Sequence, residues 1–340
     1  APPSPESYMN ESPMIDVLVT ENITGEAMDC LRQRRQVAFE PDLWKDVARL
    51  TELASKARAL IVRNQTRVDQ PLLEVASRLE IVGRAGAGLD NVDLSAASEL
   101  GIVVASTPSQ NSISVAELTL GLMLALVRKI AAADRHVKAG GWARHQFMGS
   151  ELYCKTLGIV GFGRIGQLVA RRAVAFGMDL AASDPHVDPD SLAIAELRPR
   201  MLPLDELLAT ADVVCCHLPS TPETAGLFNY ERFRQMKPSA VFINVARGEV
   251  VDEAGLLRAL EEKRIAGAAL DVRIKEPPAD SAFSQMDNVI LTPHIGAFTV
   301  EGQRRVVAAV CRDVDNVLSG VPAANWANFP LPRRAAQATH

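Results

Sequence analysis

Short apolar runs alternate with amphipathic stretches along the first third of the chain. Each run is short and continuously apolar, which is typical of a parallel strand that is covered on both faces. The stretches between the runs carry apolar residues at helical spacing, so the pattern predicts parallel strands joined by helices. The predicted strands are Ile15–Val19, Ala59–Val62, Leu79–Gly83 and Ile102–Ser106. The predicted helices are Gly25–Arg35, Leu43–Ala57, Pro71–Ser77 and Leu94–Leu100.

A longer helical pattern follows at Ser112–Gly140. Its middle, Leu118–Val127, is apolar on every face, which predicts burial on all sides. Ser114 and Glu117 have the spacing of a capping box, with Ser114 as the N-cap. One subunit alone could bury this helix, or a second copy could bury part of it. We expect a second copy, and hence a homodimer or a higher even homo-oligomer.

The alternation of strands and helices resumes at Thr156 and continues to Pro293. Six apolar runs in this part are typical of a dinucleotide-binding sheet. A last helix near Thr299–Leu318 has no strand after it, so we expect it to pack on the first domain. The runs read TLGIVG, DLAASD, DVVCCHLP, AVFINVA, AGAALDV and NVILTP.

The predicted fold class is α/β, with two Rossmann-like or flavodoxin-like parallel-sheet domains and a cleft between them. We expect the substrate-binding domain at 14–108 and 299–325, and the cofactor-binding domain at 109–298. Residues 1–13 and 326–340 are predicted to be tails.

Composition narrows the possible partners. The 340 residues are 48% apolar and 23% charged with a net charge of −5, which is typical of a globular chain. The absence of a basic block argues against nucleic acid or an anionic membrane surface as a partner. The most apolar stretch has 10 residues, whereas a membrane span needs about 20. No signal peptide is visible, and five cysteines without a close-spaced framework favour a reducing compartment. We therefore expect a cytoplasmic protein.

The sequence GFGRIG places Gly161, Gly163 and Gly166 in the G-x-G-x-x-G spacing. The spacing alone is weak evidence, but here it follows a predicted strand and opens a predicted helix, as a dinucleotide site requires. Asp184 ends the next strand, 18 residues beyond Gly166. A carboxylate there accepts hydrogen bonds from ribose hydroxyls and repels a 2′-phosphate, which predicts NAD rather than NADP.

A second glycine-rich turn, Gly83–Gly88, has the order G-x-x-G-x-G and lacks the third required glycine. Its backbone N–H groups could hold a carboxylate, and Ala87 and Gly88 are the candidates. A plain turn fits the spacing equally well.

Three polar residues follow the last predicted strands: Arg247, Glu276 and His294. Each alone could be a solvated loop charge or an ordinary histidine. Because the carboxyl ends of parallel strands share one edge of the sheet, we expect all three side chains near the nicotinamide. Together they would supply an anion grip, an orienting carboxylate and a proton shuttle.

With these motifs the chain resembles the D-isomer-specific 2-hydroxyacid dehydrogenase family, and most closely its 3-phosphoglycerate dehydrogenases. The resemblance runs in order from about residue 59 to 297, most of the chain. It is carried by the stretches VGRAGAGLDNVDL, NSISVAELTLGLMLAL, FMGSELYCKTLGIVGFGRIG, NVARGEVVDE, GAALDV, EPP and LTPHIGA.

The resemblance implies an NAD-dependent enzyme of D-2-hydroxy acids with Arg247, Glu276 and His294 as its active-site residues. Arg247 would bind the 2-oxo acid, His294 would exchange the proton, and Glu276 would orient the imidazole. Asp271 would hold the nicotinamide carboxamide. The cofactor contacts that the resemblance implies are Arg164, Ile165, Asp184, the backbone of Val245 and Ala246, Asp271 and Gly296.

Departures from the family pattern bear on the substrate. Arg273 stands where the family often has Phe, Phe298 replaces Ser in GAST, and Ala87 replaces the usual Thr. The chain also stops soon after the last helix, which implies a form without the regulatory domain that some phosphoglycerate dehydrogenases carry.

Arg63 and Arg67 follow a first-domain strand, where phosphoglycerate dehydrogenases have a similar basic segment. They favour a substrate with a second anionic group, such as 3-phosphoglycerate, although Arg67 could point into solvent. Alternative substrates are sulfolactate, glycerate and hydroxypyruvate. From another class, an NAD-binding corepressor-like protein remains an alternative.

Overall fold

The computed structural model describes residues 14–278 and 282–333, so the predicted tail at 1–13 and the end of the second tail, 334–340, lie outside it. The chain forms two compact units. The first takes the chain up to Asn111 and again from Val300, and the second spans Ser112–Thr299. Each unit has its own parallel sheet with helices, so the predicted α/β fold class is confirmed.

The first unit contains a five-stranded parallel sheet, with its strands in the order β2-β1-β3-β4-β5 that is typical of flavodoxin-like folds. β2 is only half-buried and three residues long, which explains why no strand is predicted there from the sequence. The strands are β1 (Ile15–Val19), β2 (Val37–Phe39), β3 (Ala57–Val62), β4 (Ile81–Arg84) and β5 (Val103–Ala105).

Four helices connect these strands, and three of them begin at an aspartate. The side chains of Asp46, Asp69 and Asp93 each accept a hydrogen bond from the backbone N–H three residues later, which stabilises the helix start.

The prediction of one helix over 43–57 is wrong, because Asp46 caps a new helix there and β3 starts at Ala57. The helices are α1 (Glu26–Arg34), α2 (Val47–Ala54), α3 (Gln70–Val75) and α4 (Leu94–Glu99).

The second unit contains a seven-stranded parallel sheet in the order β12-β11-β10-β9-β6-β7-β8. Counted from its first strand, this order extends the Rossmann order 3-2-1-4-5-6 by one strand. The additional strand is β12, at one edge of the sheet. β8, at the other edge, has only two residues, both exposed, and gives no apolar signal. The strands are β6 (Thr156–Val160), β7 (Asp179–Ser183), β8 (Arg200–Met201), β9 (Val213–Cys216), β10 (Val241–Asn244), β11 (Gly267–Leu270) and β12 (Val289–Leu291).

The predicted helix over 112–140 is two helices in the structure. The chain breaks at Lys129, which adopts a left-handed conformation with φ 54° and carries no glycine or proline signal. Ser114 is not an N-cap, because it lies inside the first helix and its hydroxyl bonds the Thr299 hydroxyl at 2.8 Å. The helices of this unit are α5 (Ser112–Val127), α6 (Ile130–Lys138), α7 (Arg164–Val174), α8 (Leu192–Leu197), α9 (Leu204–Thr210), α10 (Tyr230–Gln235) and α11 (Glu253–Glu261).

The apolar middle of α5 packs within its own unit against α7, β10 and β11. Leu120, Leu122 and Met123 are buried there, whereas Leu124–Val127 are only half-buried, so this chain alone does not bury the helix on all sides. Among the described residues, no helix combines the length and the apolar content that crossing a bilayer requires.

The last helix, α12 (Val300–Leu318), packs on α1, β3 and β4 of the first unit. Gly83 permits this close approach, because a Cβ there would lie 2.7 Å from a Val310 methyl carbon. The described part of the predicted second tail also packs on this unit. Its residue Ala327 donates to the carbonyl of Val104 at 2.7 Å, and Phe329 is buried.

Candidate active site

The G-x-G-x-x-G turn joins β6 to α7, and its three glycines have different surroundings. Gly161 has φ +90°, and a Cβ there would lie 2.8 Å from the carbonyl oxygen of His217. A Cβ at Gly166 would lie 2.4 Å from the carbonyl oxygen of Gly161. A Cβ at Gly163 would meet no described atom within 4 Å. The fold therefore requires the first and third glycines, whereas the second leaves open space before the N-terminus of α7.

Asp184 follows β7 and lies against this turn. One carboxylate oxygen accepts the N–H of Phe162 at 2.8 Å, and the other accepts the N–H of His186 at 2.9 Å. These two bonds fix the carboxylate beside the glycine turn while leaving each oxygen a second acceptor position. Of the other predicted cofactor residues here, Arg164 is exposed, and Ile165 is half-buried against the core.

The turn after β10 carries Val245, Ala246 and Arg247. Asn244, the last residue of β10, is fully buried, and its side chain bonds this turn at two points. Its amide nitrogen donates to the carbonyl of Arg247 at 2.8 Å, and its amide oxygen accepts the N–H of Ala246 at 3.1 Å. The Arg247 guanidinium donates to the carbonyl of Ala246 at 2.7 Å. Sequence reasoning missed Asn244, although an asparagine that ends a buried strand was a usable signal.

His294 and Glu276 contact each other directly. Nδ1 of His294 lies 2.7 Å from Oε2 of Glu276, and the other carboxylate oxygen accepts the N–H of Arg273 at 3.1 Å. His294 has a left-handed backbone with φ 53°, and its N–H donates to the carbonyl of Asp271 at 2.8 Å. A non-glycine residue in this conformation stores strain, which often marks a functional position. A carboxylate on Nδ1 fixes the ring orientation and leaves Nε2 as the second proton-carrying position.

Asp271 supports the segment that carries His294. Its buried carboxylate accepts three hydrogen bonds, from the Thr292 hydroxyl at 2.6 Å and from the N–H groups of Ile295 and Gly296 at 2.8 Å. These bonds use three of about four acceptor positions of the carboxylate. The role implied for Asp271, holding a carboxamide, would therefore have to use the remaining one. Thr292 was not singled out from the sequence.

Arg273 and Phe298, which depart from the family pattern, differ in burial. The Arg273 side chain, 9% exposed, pairs with Glu253 at 2.7 Å, so it does not offer a free positive charge to a substrate. Phe298 is 65% exposed and lies in the segment after β12.

His217 is a further histidine at the glycine turn that sequence reasoning missed. Both ring nitrogens are buried and find no hydrogen-bond partner among the described residues. Burial lowers the pKa of His217 to about 4, so the ring is neutral at pH 7. Its signal in the sequence is its position directly after the buried strand β9.

In the first unit, Arg63 lies at the carboxyl end of β3. The buried carboxylate of Glu21 accepts the backbone N–H groups of Arg63 at 2.8 Å and Thr66 at 3.0 Å, which fixes this loop. The Arg63 guanidinium donates to the side-chain oxygen of Gln303 at 2.7 Å, and burial lowers the pKa of Arg63.

The other residues predicted for this loop region differ in exposure. Arg67 is 84% exposed and lies 3.7 Å from Asp69, so it belongs to the solvated surface. Ala87 and Gly88 are half-buried in the bend after β4.

The residues around the G-x-G-x-x-G turn fit a bound dinucleotide. The open space at Gly163 leaves room for phosphate oxygens, the N-terminus of α7 supplies N–H groups, and Asp184 is fixed beside the turn, where its carboxylate could accept from ribose hydroxyls.

Comparison with known proteins agrees with this arrangement. Residues 120–296 match the family model of the D-isomer specific 2-hydroxyacid dehydrogenase, NAD binding domain. The chain is 43% identical over 317 residues to D-3-phosphoglycerate dehydrogenase of Archaeoglobus fulgidus, covering 92% of this chain and 59% of the relative. The chain thus spans about three fifths of the length of that curated relative.

Solved structures share the fold over nearly their whole length. The TT0316 protein from Thermus thermophilus is 36% identical with a TM-score of 0.86, covering 92% of this chain and 99% of that one. D-lactate dehydrogenase from Aquifex aeolicus, solved with NAD and lactic acid, is 28% identical with a TM-score of 0.81, covering 93% and 100%. The chain belongs to the D-isomer-specific 2-hydroxyacid dehydrogenase family, and it contains the family's NAD-binding domain.

Proposed function

We propose that this protein is an NAD-dependent oxidoreductase that interconverts a D-2-hydroxy acid and its 2-oxo acid. The observation that carries the proposal is the 2.7 Å contact between His294 Nδ1 and Glu276 Oε2. This pair lies after β11 and β12, at the same sheet edge as the Arg247 turn and the glycine turn. A nucleotide turn, an arginine and an oriented histidine at one edge form the set that reversible hydride transfer needs.

The proposed roles follow from the chemistry of each side chain. NADH, held by the glycine turn and Asp184, would supply the hydride that reduces C2 of the 2-oxo acid. Arg247 binds the substrate carboxylate with its planar donors and polarises the carbonyl. His294 donates a proton from Nε2 to the carbonyl oxygen, and in the reverse direction it accepts that proton. Glu276 holds the ring through Nδ1, so Nε2 keeps one orientation throughout the cycle.

We propose 3-phosphoglycerate as the substrate, with Arg63 binding the second anionic group. Arg63 is fixed by Glu21 through its backbone and by Gln303 through its guanidinium. A guanidinium that is already ordered loses little entropy when it binds a phosphate. The relative from Archaeoglobus fulgidus is named for the same substrate. Sulfolactate, glycerate and hydroxypyruvate are the alternatives to be tested beside it.

We also propose a homodimer or a higher even homo-oligomer, with its interface on the surface formed by α6 and the half-buried end of α5, Leu124–Val127. A cavity of about 640 Å³ lies beside α6 and the 146–152 segment. Met148, which lines this cavity, and four other large apolar side chains on α6 and in the chain that follows it are exposed, and exposed apolar surface marks an interaction site. They are Ile130 (53%), Val137 (49%), Trp142 (84%), Met148 (76%) and Tyr153 (68%).

We propose the cytoplasm as the location of the protein. Cys30 and Cys154 are exposed free thiols, and such thiols are typical of a reducing compartment.

The proposed function is tested by a panel of 2-oxo and 2-hydroxy acids, with NADH absorbance as the signal. We expect turnover with a 2-oxo acid, and the highest kcat/KM with the phosphorylated one. An absence of turnover across the panel, with NADH bound, would contradict the enzyme assignment and favour a binding protein.

A further inference from the structure

Glu253 and Arg273 form a two-point ion pair between the start of α11 and the segment after β11. Nε of Arg273 lies 2.8 Å from one carboxylate oxygen, and Nη2 lies 2.7 Å from the other. The guanidinium carbon also lies 5.1 Å from the centre of the Phe283 ring. A pair with two parallel hydrogen bonds and little exposure fixes the geometry of both partners.

The Glu253 carboxylate also bonds the backbone of the residue after Arg273. Oε1 of Glu253 accepts the N–H of Ile274 at 3.1 Å. The N–H of Arg273 in turn donates to Oε1 of Glu276 at 3.1 Å, and Oε2 of Glu276 contacts His294 at 2.7 Å. Hydrogen bonds on either side of the Arg273 backbone therefore link Glu253 to His294 through Glu276.

This segment is also held against the turn that carries Arg247. A Cβ at Gly248 would lie 2.0 Å from the carbonyl carbon of Arg273 and 2.4 Å from the nitrogen of Ile274. The Arg273–Ile274 peptide thus lies directly on Gly248. This close contact leaves the peptide little room to move towards Gly248.

We propose that Glu253 and Arg273 are positioning residues, which set the Glu276 carboxylate on His294 by holding the Arg273–Ile274 peptide in place against Gly248. The proposal rests on the proposed function for its effect on turnover. It explains how a charged Arg273 stands where relatives of this family often have Phe: the charge is used inside the protein and not on the substrate. Arg273 lowers the pKa of Glu253, so the ion pair persists through the neutral pH range.

Glu253→Gln tests the proposal, because it removes the charge while keeping the shape. A shift of about 1 Å at a catalytic group can cost up to about a hundredfold in rate. We expect kcat to fall about tenfold in Glu253→Gln and less in Arg273→Lys, which keeps the charge and loses the two-point geometry. The Kd for NADH should stay within twofold. Arg258→Gln is the matched control, since it breaks an ion pair with Glu262 on the same helix and should leave kcat unchanged.

A double-mutant cycle separates positioning from general loosening of the fold. If Glu253 acts through Glu276, then Glu253→Gln lowers kcat less than twofold in the Glu276→Ala background. An equal tenfold loss in both backgrounds, or no loss in either, would overturn the proposal. Failure of Glu276→Ala to change kcat would instead overturn the proposed role of Glu276.

A second readout does not depend on turnover. In a crystal structure of Glu253→Gln, we expect the Glu276 Oε2 to His294 Nδ1 distance to exceed 3.5 Å. A distance that stays near 2.7 Å would refute the positioning role even if no substrate is found for the enzyme.

Discussion

Two glycine-rich turns, one in each unit, follow buried strands but differ in what occupies the space beside them. In the first unit, Gly86 has φ +156°, and a Cβ there would lie 1.7 Å from the Arg84 guanidinium nitrogen. In the second unit, the space beside Gly163 is open. The first turn needs its glycine for backbone conformation and for packing of its own side chain. The second keeps a glycine where the fold does not require one, which points to a ligand.

The difference extends to the polar residues near the two turns. In the second unit, Asp184 and Asn244 bond the backbone of neighbouring loops and fix them at the sheet edge. In the first unit, Glu21 does the same for the loop of Arg63. Both units therefore contain loops that are fixed by buried polar side chains. Among the described residues, only the second unit also contains a histidine–carboxylate pair, His294 and Glu276. The comparison favours the second unit as the part of the chain that carries the proposed chemistry.

The largest effect is expected from His294→Ala. Removing the proton donor should lower kcat by roughly 10²–10⁴, the usual contribution of general acid–base catalysis. The Kd for NADH, measured by fluorescence titration, should change little because the glycine turn is untouched. Turnover near the wild-type value would mean that the chemistry does not depend on this edge of the sheet.

Asp184→Asn tests the cofactor choice of the second unit. The amide oxygen can still accept one of the two backbone N–H groups that Asp184 bonds, and the charge that repels a 2′-phosphate is removed. We expect the preference for NAD over NADP, as a ratio of kcat/KM values, to fall at least about tenfold. A wild-type enzyme that prefers NADP would contradict the role given to Asp184.

Arg63→Ala tests the contribution of the first unit. Losing one charge-assisted contact costs about 1.5–3 kcal/mol, roughly ten- to a hundredfold in kcat/KM for a dianionic acid. Arg67→Ala, in the same loop but exposed, should have little effect. Equal losses with phosphoglycerate and lactate would show that Arg63 binds the carboxylate that both substrates share.

The smallest effect concerns stability and comes from His217. Its folded pKa of about 4 lies below the ordinary value of 6.5, so the unfolded chain takes up a proton first as the pH falls. Stability is therefore lost between pH 6.5 and 4, by about 2 kcal/mol at pH 5. Urea unfolding at pH 7.5 and 5 should show this loss in the wild type and a smaller one in His217→Leu. The same pH dependence in both proteins would place the titration elsewhere.

The strands could be predicted because a buried parallel strand leaves a continuous apolar run. β1 was predicted with its observed bounds at Ile15–Val19. β2 and β8 could not be predicted, since edge strands of two or three partly exposed residues leave no such run. The break at Lys129 had no glycine or proline to mark it, so only the packed structure could reveal it.

The residues of the site that sequence reasoning found all follow a strand, as Arg247, Glu276 and His294 do. Asn244, Glu253 and Thr292, which it missed, bond loop backbones or other side chains. His217, also missed, has buried ring nitrogens without a hydrogen-bond partner among the described residues. The partners of Glu253 and Thr292 are about 20 residues away along the chain, so these contacts exist only after folding. Arg273 shows the same limit, because its sequence position alone could not decide between the substrate and Glu253.

The most direct test of the account is NADH binding by wild type, Gly163→Ala and Gly86→Ala, measured by fluorescence titration beside thermal unfolding of the same proteins. We predict that Gly163→Ala weakens NADH binding at least about tenfold with an unchanged Tm, since its backbone angles suit alanine and only the open space is filled. Gly86→Ala should bind NADH normally and lose about 1–3 kcal/mol of stability, because alanine is strained at that backbone conformation. The reverse result, with NADH binding lost in Gly86→Ala and kept in Gly163→Ala, would contradict the assignment of the dinucleotide to the second unit.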